Sequence, residues 1–533
     1  MQQKVFCFFK MLFAFVLGYI LLLLIFVNPY LKYPCKRIFT INNYAITLIV
    51  FLFCAAACFL NQRFSGKIRC DFKNIIFQND RFVYIIALIL LFVQIYISYN
   101  IFFLTDWDAG SVNNSARAWA SGNAHSITQY YNFSRYPNNL FLVIVQALIL
   151  KTNNCIGIFQ NDYMYMSIVC VNCLLNTLTS ILVYKILKLY YSKKCAFTGF
   201  IISIALYGFS PWTIICYSDT MGIIFPVSCF YLYVRPAKSK TGKILQYVLM
   251  STLAVIGYCI KPQCIIILIA IIIAEILFSL NKKSVKKLIA ILCLIIYVFS
   301  LNFGLNAALN RVCKSQAIVL EKEKAFGLTH FAMMGLNQNS LGVYSQEDVD
   351  YSASFKTAQE RKQANISKAG QRLQAIGPFG YLKHISKKAL IAYNDGTFSW
   401  GFEGKFYYKM QTPPNSKSAP LLRSYYYKTG NKFKAFTLCS QFVWIFVLIF
   451  SFISVFTKKK FMPKKFFLVL LLGIIGLTAF QLIFEVRSRY LYTYLPLFSV
   501  LAAIGVKNFN NHIFSVLNKL KKFAGTKSKG AAL

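Results

Sequence analysis

The chain has 533 residues, 57% of them hydrophobic, and a formal charge of +42 from 58 Lys and Arg against 16 Asp and Glu. So much apolar material, gathered in long unbroken blocks, excludes a soluble globular domain. The positive charge falls in short clusters between those blocks, a membrane-topology pattern and not the face of a nucleic-acid-binding protein.

A spanning helix needs about 20 mostly apolar residues. Such blocks fall at roughly 11–28, 44–60, 82–104, 163–190, 196–216, 220–234, 244–260, 264–280, 288–309, 435–456, 466–484 and 490–506. The expected fold is therefore an all-α polytopic membrane protein with about 12 transmembrane helices. The first block is longer than a signal-peptide core and lacks a small-residue cleavage site, so it reads as a retained helix. The clusters "RFSGKIR", "SKKC", "RPAKSKTGK", "NKKSVKK", "TKKKFMPKK" and "NKLKKFAGTKSKG" all fall on the cytoplasmic side if the eleven apolar residues 140–150 do not cross. That block then becomes a re-entrant or interfacial helix. Both termini are cytoplasmic in this scheme, and the protein sits in the cell membrane. The sixteen cysteines lie mostly inside apolar blocks, where they act as small hydrophobes. The CxxC of Cys170 and Cys173, flanked by "SIV" and "LLN", reads as packing and not as a redox or metal site.

The chain divides accordingly. Residues 1–81 hold two N-terminal helices and a cytoplasmic loop, and 82–310 a transmembrane core whose first outer loop is 105–162. Residues 311–432 form a mixed extracytoplasmic domain with eighteen Lys or Arg against eight Asp or Glu. Three C-terminal helices follow in 433–506, and 507–533 is a basic cytoplasmic tail. Only Asp71 and Asp80 fall in a cytoplasmic loop, while Glu275 lies near the inner end of a span, close to Lys282 and Lys283. No span carries the mid-depth chain of Asp, Glu or His expected of an ion-coupled carrier.

"TDWDAGSVNNSA" opens the first outer loop with two carboxylates, Asp106 and Asp108. Asp108 is placed to cap a short surface helix that runs to Gly122. A cap needs one carboxylate, and two are present. A second role is a general base for an acceptor hydroxyl attacking a sugar that leaves a lipid phosphate. Such a leaving group needs cations. The outer side offers Arg487 and Arg489 beside Glu485 in "EVRSRYLYTYLP", Lys261 in "YCIKPQC", and Arg117 and Arg135 in the first loop; guanidinium forks suit phosphate. In "YYNFSRYPNN", Tyr136 can stack on a sugar or sit at the lipid headgroups, Pro137 starts a helix, and Asn138 is placed to cap it. Asp219 in "YSDT" and His330 in "THFAMMG" are further cavity candidates.

The order of these features resembles the glycosyltransferase C superfamily, in particular the branch of protein O-mannosyltransferases and lipid A aminoarabinose transferases. The resemblance covers roughly residues 82–506. It rests on the acidic first loop, the Pro-led "YPNNLFLVIVQALIL", the span ending "VYKILKLYYSKKCA", the hairpin "ALYGFSPWTIICYSDTMGIIF" and the turn "FEVRSRYLYTYLP"; "GLTHFAMMGLNQNSLGVYSQED" is similar to bacterial members. Many relatives carry Asp-Glu where this chain has Asp-Trp-Asp.

The resemblance implies a membrane glycosyltransferase moving a hexosyl or pentosyl group, with inversion. The donor would be a polyprenyl-phosphate sugar and the acceptor an extracytoplasmic cell-wall polymer, lipid or protein. It makes Asp108 the base, with Asp106 next, and sets Lys261 and Arg489 on the donor phosphate, where Arg487 and Arg135 are further candidates. Some superfamily members use a divalent cation and others none, so no ligand set is implied. Two other readings share the outward-facing site: a polysaccharide polymerase or ligase using diphosphate-linked oligosaccharide, and a flippase or transporter for lipid-linked sugar.

Overall fold

The structure is a computed structural model that describes residues 2–27, 42–64, 79–281, 284–411, 416–456 and 463–530. Asp71, Lys282, Lys283, most of "RFSGKIR" and the lysines of "TKKKF" lie outside the described residues. Helices dominate: α1 Gln2–Phe26, α2 Asn43–Phe64, α3 Asp80–Asn100, α4 Asp108–Ala120, α5 Leu140–Ile156, α6 Met166–Tyr190, α7 Lys193–Ser203, α8 Ile224–Val234, α9 Lys240–Ile260 and α10 Ile266–Asn281. They continue with α11 Val285–Ser315, α12 Leu328–Gly335, α13 Gln346–Ala353, α14 Ala358–Tyr393, α15 Ala419–Tyr426, α16 Phe433–Ser454, α17 Lys464–Ile483 and α18 Leu495–Gly530. Two short strands, β1 Phe103–Asp106 and β2 Lys405–Met410, pair antiparallel.

Among the described residues ten helices are long and apolar enough to cross a membrane, and two more apolar stretches, Asn43–Ala57 and Ser218–Val234, are shorter. The block expected to span 196–216 is not one continuous α-helix. It is assembled from α7, a wider π turn Ile204–Gly208 and a 3-10 turn Pro211–Ile214, because Pro211 cannot continue the helical hydrogen bonding. The block expected at 140–150 is longer than its apolar run, and α5 reaches Ile156.

Both ends of α5 are nonetheless tied to the same end of the bundle. Before it, Phe326 N–H donates to Arg135 O at 3.0 Å and Asn139 Nδ2 to Tyr131 OH at 2.9 Å. After it, Asn153 Nδ2 reaches Phe159 O at 2.8 Å, and Asp162 accepts from Lys409 of β2 at 2.7 Å. The six residues from 157 to 162 extend at most about 20 Å, whereas a crossing would leave Ile156 roughly 25 Å from that end. These ties draw the two ends of α5 toward each other, while by length and composition Pro137–Ile156, which contains α5, is one of the ten long apolar helices.

Residues 311–432 do not stand apart as a separate domain. Gly377 (φ 64°) and Pro378 divide α14 into two helical segments, and the second segment descends beside the bundle. There Ser386 Oγ meets Tyr19 OH of α1 at 2.7 Å, and Tyr393 OH meets Thr478 Oγ1 of α17 at 2.7 Å. The first segment starts with the Thr357/Glu360 capping box, in which each side chain bonds the other's backbone N–H. The return strand β2 then completes a sheet with β1, which directly follows α3.

An aromatic cluster locks that return. Trp212 and Trp400 are 5.8 Å apart, and Phe406 lies 4.8 Å from Trp400. The indole N–H groups are also used, Trp212 to Thr397 O at 2.9 Å and Trp400 to Tyr426 O at 2.7 Å. Each such ring pair contributes about 0.5–1.5 kcal/mol beyond its burial. The thiols of Cys170 and Cys173 are free, and Cys173 is buried among apolar side chains.

Candidate functional site

Three chain breaks and one loop deliver charge to the end of the bundle beyond α3. The break between α9 and α10 carries Lys261, whose extended backbone (φ −149°, ψ 115°) follows from the proline after it. The turn before α8, Ser218–Gly222, carries Asp219. The break between α17 and α18 carries Glu485, Arg487 and Arg489, and it is held by Lys388 Nζ donating to Phe484 O at 2.6 Å and by Val486 N–H donating to Gly342 O at 2.9 Å. The loop between α14 and β2 carries Glu403. Asp395 shapes that loop by accepting from Thr397 N and Ser399 N, both at 2.7 Å, which supports positive φ at Phe398 and Ser399.

Asp219 is at the centre. Its carboxylate pairs with Lys261 through one oxygen and with Arg489 at 2.6 Å through the other, and the three side chains are only 1–7% exposed. Arg489 Nε also faces Glu403 at 3.4 Å, and Arg487 spans Glu403 and Glu485 at 3.3 Å each. Aromatic rings close the walls: the Arg489 guanidinium sits 4.8 Å from the Trp107 ring, 5.0 Å from Tyr490 and 5.5 Å from Tyr217, and Lys261 Nζ is 4.7 Å from Tyr490. Trp107 Nε1 is buried without a hydrogen-bond partner among the described residues, and Arg489 Nε and Glu403 Oε1, equally buried, meet each other at ion-pair distance without hydrogen-bond geometry.

Asp108 borders this network without joining it. It is the first residue of α4, but the cap position is Trp107 and no side chain caps the helix, so Asp108 is not the cap that its place in the sequence suggested. Its carboxylate is exposed and makes no hydrogen bond or ion pair with the described residues. Protein nevertheless surrounds it closely enough to strip hydration, which pushes its pKa above the ordinary aspartate value; the Arg489 charge opposes that shift, and Glu485 and Glu403 add to it. An exposed carboxyl with curtailed hydration is one that faces a cleft. Its position depends on Gly110, since a Cβ there would lie 1.9 Å from Thr105 O.

Tyr136 faces the same cleft. Burial raises its phenol pKa, and the charges of Asp108 and Glu485 raise it further. Arg135, half-buried beside it, lies 5.9 Å from the Phe326 ring and has no carboxylate partner among the described residues. Arg487 keeps a raised pKa: burial alone would lower it, but Glu403 and Glu485 outweigh that cost.

The structure thus brings Asp108, Asp219, Lys261, Arg487, Arg489 and Tyr136 to one place, with Arg135 at its rim. Other candidates fall elsewhere. Asp106 is spent on β1, where Lys405 pairs with it at 3.6 Å. Arg117 pairs with Asp162 at 3.5 Å, and Asn138 is exposed with its amide on Asn139. His330 is fully buried: Nδ1 meets Ser352 Oγ at 2.7 Å, its ring packs 4.2 Å from Phe326, and burial lowers its pKa to about 4. It is a structural histidine. Glu275 pairs with Lys465 at 2.6 Å, and so has a partner other than the expected Lys282 and Lys283.

Lys261 and Arg489 also differ from expectation in being neutralised already. At the core of the site three cations, Lys261, Arg487 and Arg489, face three carboxylates, Asp219, Glu403 and Glu485, with Asp108 at the border. Glu403 was missed because it arrives from about three hundred residues beyond Asp108, in a stretch with no motif. Trp107 could have been noticed from its place between the two aspartates. No three His, Cys, Asp or Glu side chains among the described residues converge as metal ligands.

Long apolar helices around a buried ion-pair network define a multi-pass integral membrane protein. The family comparison agrees. The chain belongs to the family described as conserved hypothetical integral membrane protein, whose model matches residues 2–509. No curated protein and no solved structure matches it.

Proposed function

We propose that the protein is a membrane glycosyltransferase in which Asp108 is the general base, the acceptor hydroxyl attacks the anomeric carbon of a polyprenyl-phosphate sugar, and the phosphate leaves. The observation that carries this reading is the contrast between the acids. Asp219, Glu403 and Glu485 are spent on arginine and lysine, while Asp108 faces the cleft with no partner among the described residues, a raised pKa and Arg489 within electrostatic reach. A base near neutrality needs that elevation and that access.

In the transfer step the acceptor O–H gives its proton to Asp108 as the new C–O bond forms. The bond from the anomeric carbon to the phosphate oxygen breaks, and the electron pair leaves with the phosphate. Arg135, which has no carboxylate partner among the described residues, and the uncommitted N–H groups of Arg489 are the cations available to that charge. Asp219 positions Lys261 and Arg489 and has no direct part in the transfer. The end of the bundle bearing Asp108 is taken as extracytoplasmic, because the short loops at the other end carry the dense Lys and Arg clusters.

The test is release of polyprenyl phosphate from labelled polyprenyl-phosphate sugars by the purified full chain. Asp108→Asn should retain lipid binding and lose turnover by about 10²–10⁴-fold. Unimpaired turnover in that variant would refute the assignment. Transport of lipid-linked sugar with no released polyprenyl phosphate, indifferent to the substitution, would make the protein a flippase.

A further inference from the structure

A second cavity lies at the opposite end of the bundle from Asp108, separated from Lys261 by the length of α9, about 30 Å for its 21 residues. The loop joining α8 to α9, together with the ends of α10 and α17, borders a half-open cavity of about 550 Å³. Arg235, Lys238, Lys240, Lys243 and Lys465 line it against one carboxylate, Glu275. Glu275 is already committed, accepting from Tyr233 OH at 2.8 Å and from Lys465 Nζ at 2.6 Å. Arg235, Lys238, Lys240 and Lys243 are left exposed with no carboxylate partner among the described residues.

Apart from Ser239, Gln246 and the tyrosine hydroxyls the rest of the wall is apolar, with Leu232, Met250 and Phe466 among it. On α9 the lysines give way at once to exposed Ile244 (65%), Leu245 (56%) and Leu249 (45%). Unpaired cations therefore sit over an apolar wall at the level where a helix surface changes from polar to lipid-facing. A free anion would use the cations alone. An amphiphile uses both halves of the cavity.

We infer that this cavity binds the phosphate headgroup of an anionic membrane lipid, with the phosphate among Arg235, Lys238 and Lys243 and the first acyl carbons against Leu232 and Phe466. Basic pockets between helix ends hold such headgroups through the same combination of charge and apolar contact. The inference does not rest on the transferase reading, since it concerns neither Asp108 nor its end of the bundle.

Purified full chain in neutral phosphatidylcholine nanodiscs would be titrated with short-chain phosphatidylglycerol, with short-chain phosphatidylcholine and with sodium phosphate, and binding followed by native mass spectrometry. Phosphatidylglycerol should bind in preference to the other two. The double variant Arg235→Gln/Lys243→Gln should weaken it by about tenfold or more, and Lys238→Gln alone by a smaller factor. Lys286→Gln/Lys287→Gln, at the start of α11 and outside the cavity, should leave binding unchanged. Equal loss in that control would reduce the effect to general surface charge and overturn the site. Retained binding in the cavity variants, or displacement by sodium phosphate at similar concentration, would also overturn it.

Discussion

Replacing Asp219 with Asn tests the network on which the site is built. The carboxylate is 1% exposed and accepts from Lys261 and from Arg489. Asparagine keeps the shape, removes the charge and turns an amide N–H₂ toward one of the two cations. Arg489 retains Glu403 at 3.4 Å, but Lys261, 3% exposed, loses the one carboxylate that touches it among the described residues. Stranding a buried charge in this way costs about 3–5 kcal/mol, chiefly as uncompensated desolvation. The measurement is equilibrium unfolding of detergent-solubilised protein in SDS, with denaturation midpoints as a check. Adding Lys261→Met to the asparagine variant removes the stranded ammonium and should recover at least about 1 kcal/mol, a coupling expected only between touching residues. A single variant within about 1 kcal/mol of wild type, below the range for a broken buried pair, would refute the reasoning. So would a double variant less stable than Asp219→Asn alone.

Turnover should fall as pH drops through the raised pKa of Asp108, because the base must be ionised; Glu485→Gln removes a charge that raises that pKa and should move the acid limb of kcat/KM to lower pH, and an unmoved limb would disconnect Asp108 from it. Gly110→Ala places a Cβ 1.9 Å from Thr105 O and should cost about 1–3 kcal/mol by forcing the backbone apart. Gly304→Ala, where a Cβ meets nothing within 4 Å, should be neutral or stabilise by about 0.5–1 kcal/mol through helix propensity alone. Burial lowers the Lys388 pKa from 10.5 to about 7, so the unfolded chain binds the extra proton between those values and stability should rise with pH across that window. In Lys388→Met that rise should flatten, read as the pH dependence of the unfolding midpoint.

The membrane blocks were legible because a lipid-facing surface has to be apolar over a whole helix, whatever it packs against. Where the reading slipped, contact decided the outcome. The eleven apolar residues of 140–150 show where α5 is buried, but its extension to Ile156 rests on polar turns such as Asn153 bonding Phe159 O, which carry no hydrophobic signal. The segment 311–432 looked separate because it lacks a spanning block, yet Tyr393, Trp400 and Phe406 in it are core residues of the bundle. Within the site, charge in a chain poor in acid pointed to Asp108, Lys261, Arg487 and Arg489, since a charge at a helix end must be explained. It could not reveal that Lys261 and Arg489 share Asp219, because pairing depends on which helix ends meet, and residues 219, 261 and 489 meet only after the bundle closes. The same limit separates the two aspartates of "TDWD". They are two positions apart on one strand-to-helix junction, so one falls to the sheet and Lys405 while the other turns into the cleft. Asp106 ends β1 opposite Lys405 of β2, which comes from about three hundred residues away, and Asp108 opens α4.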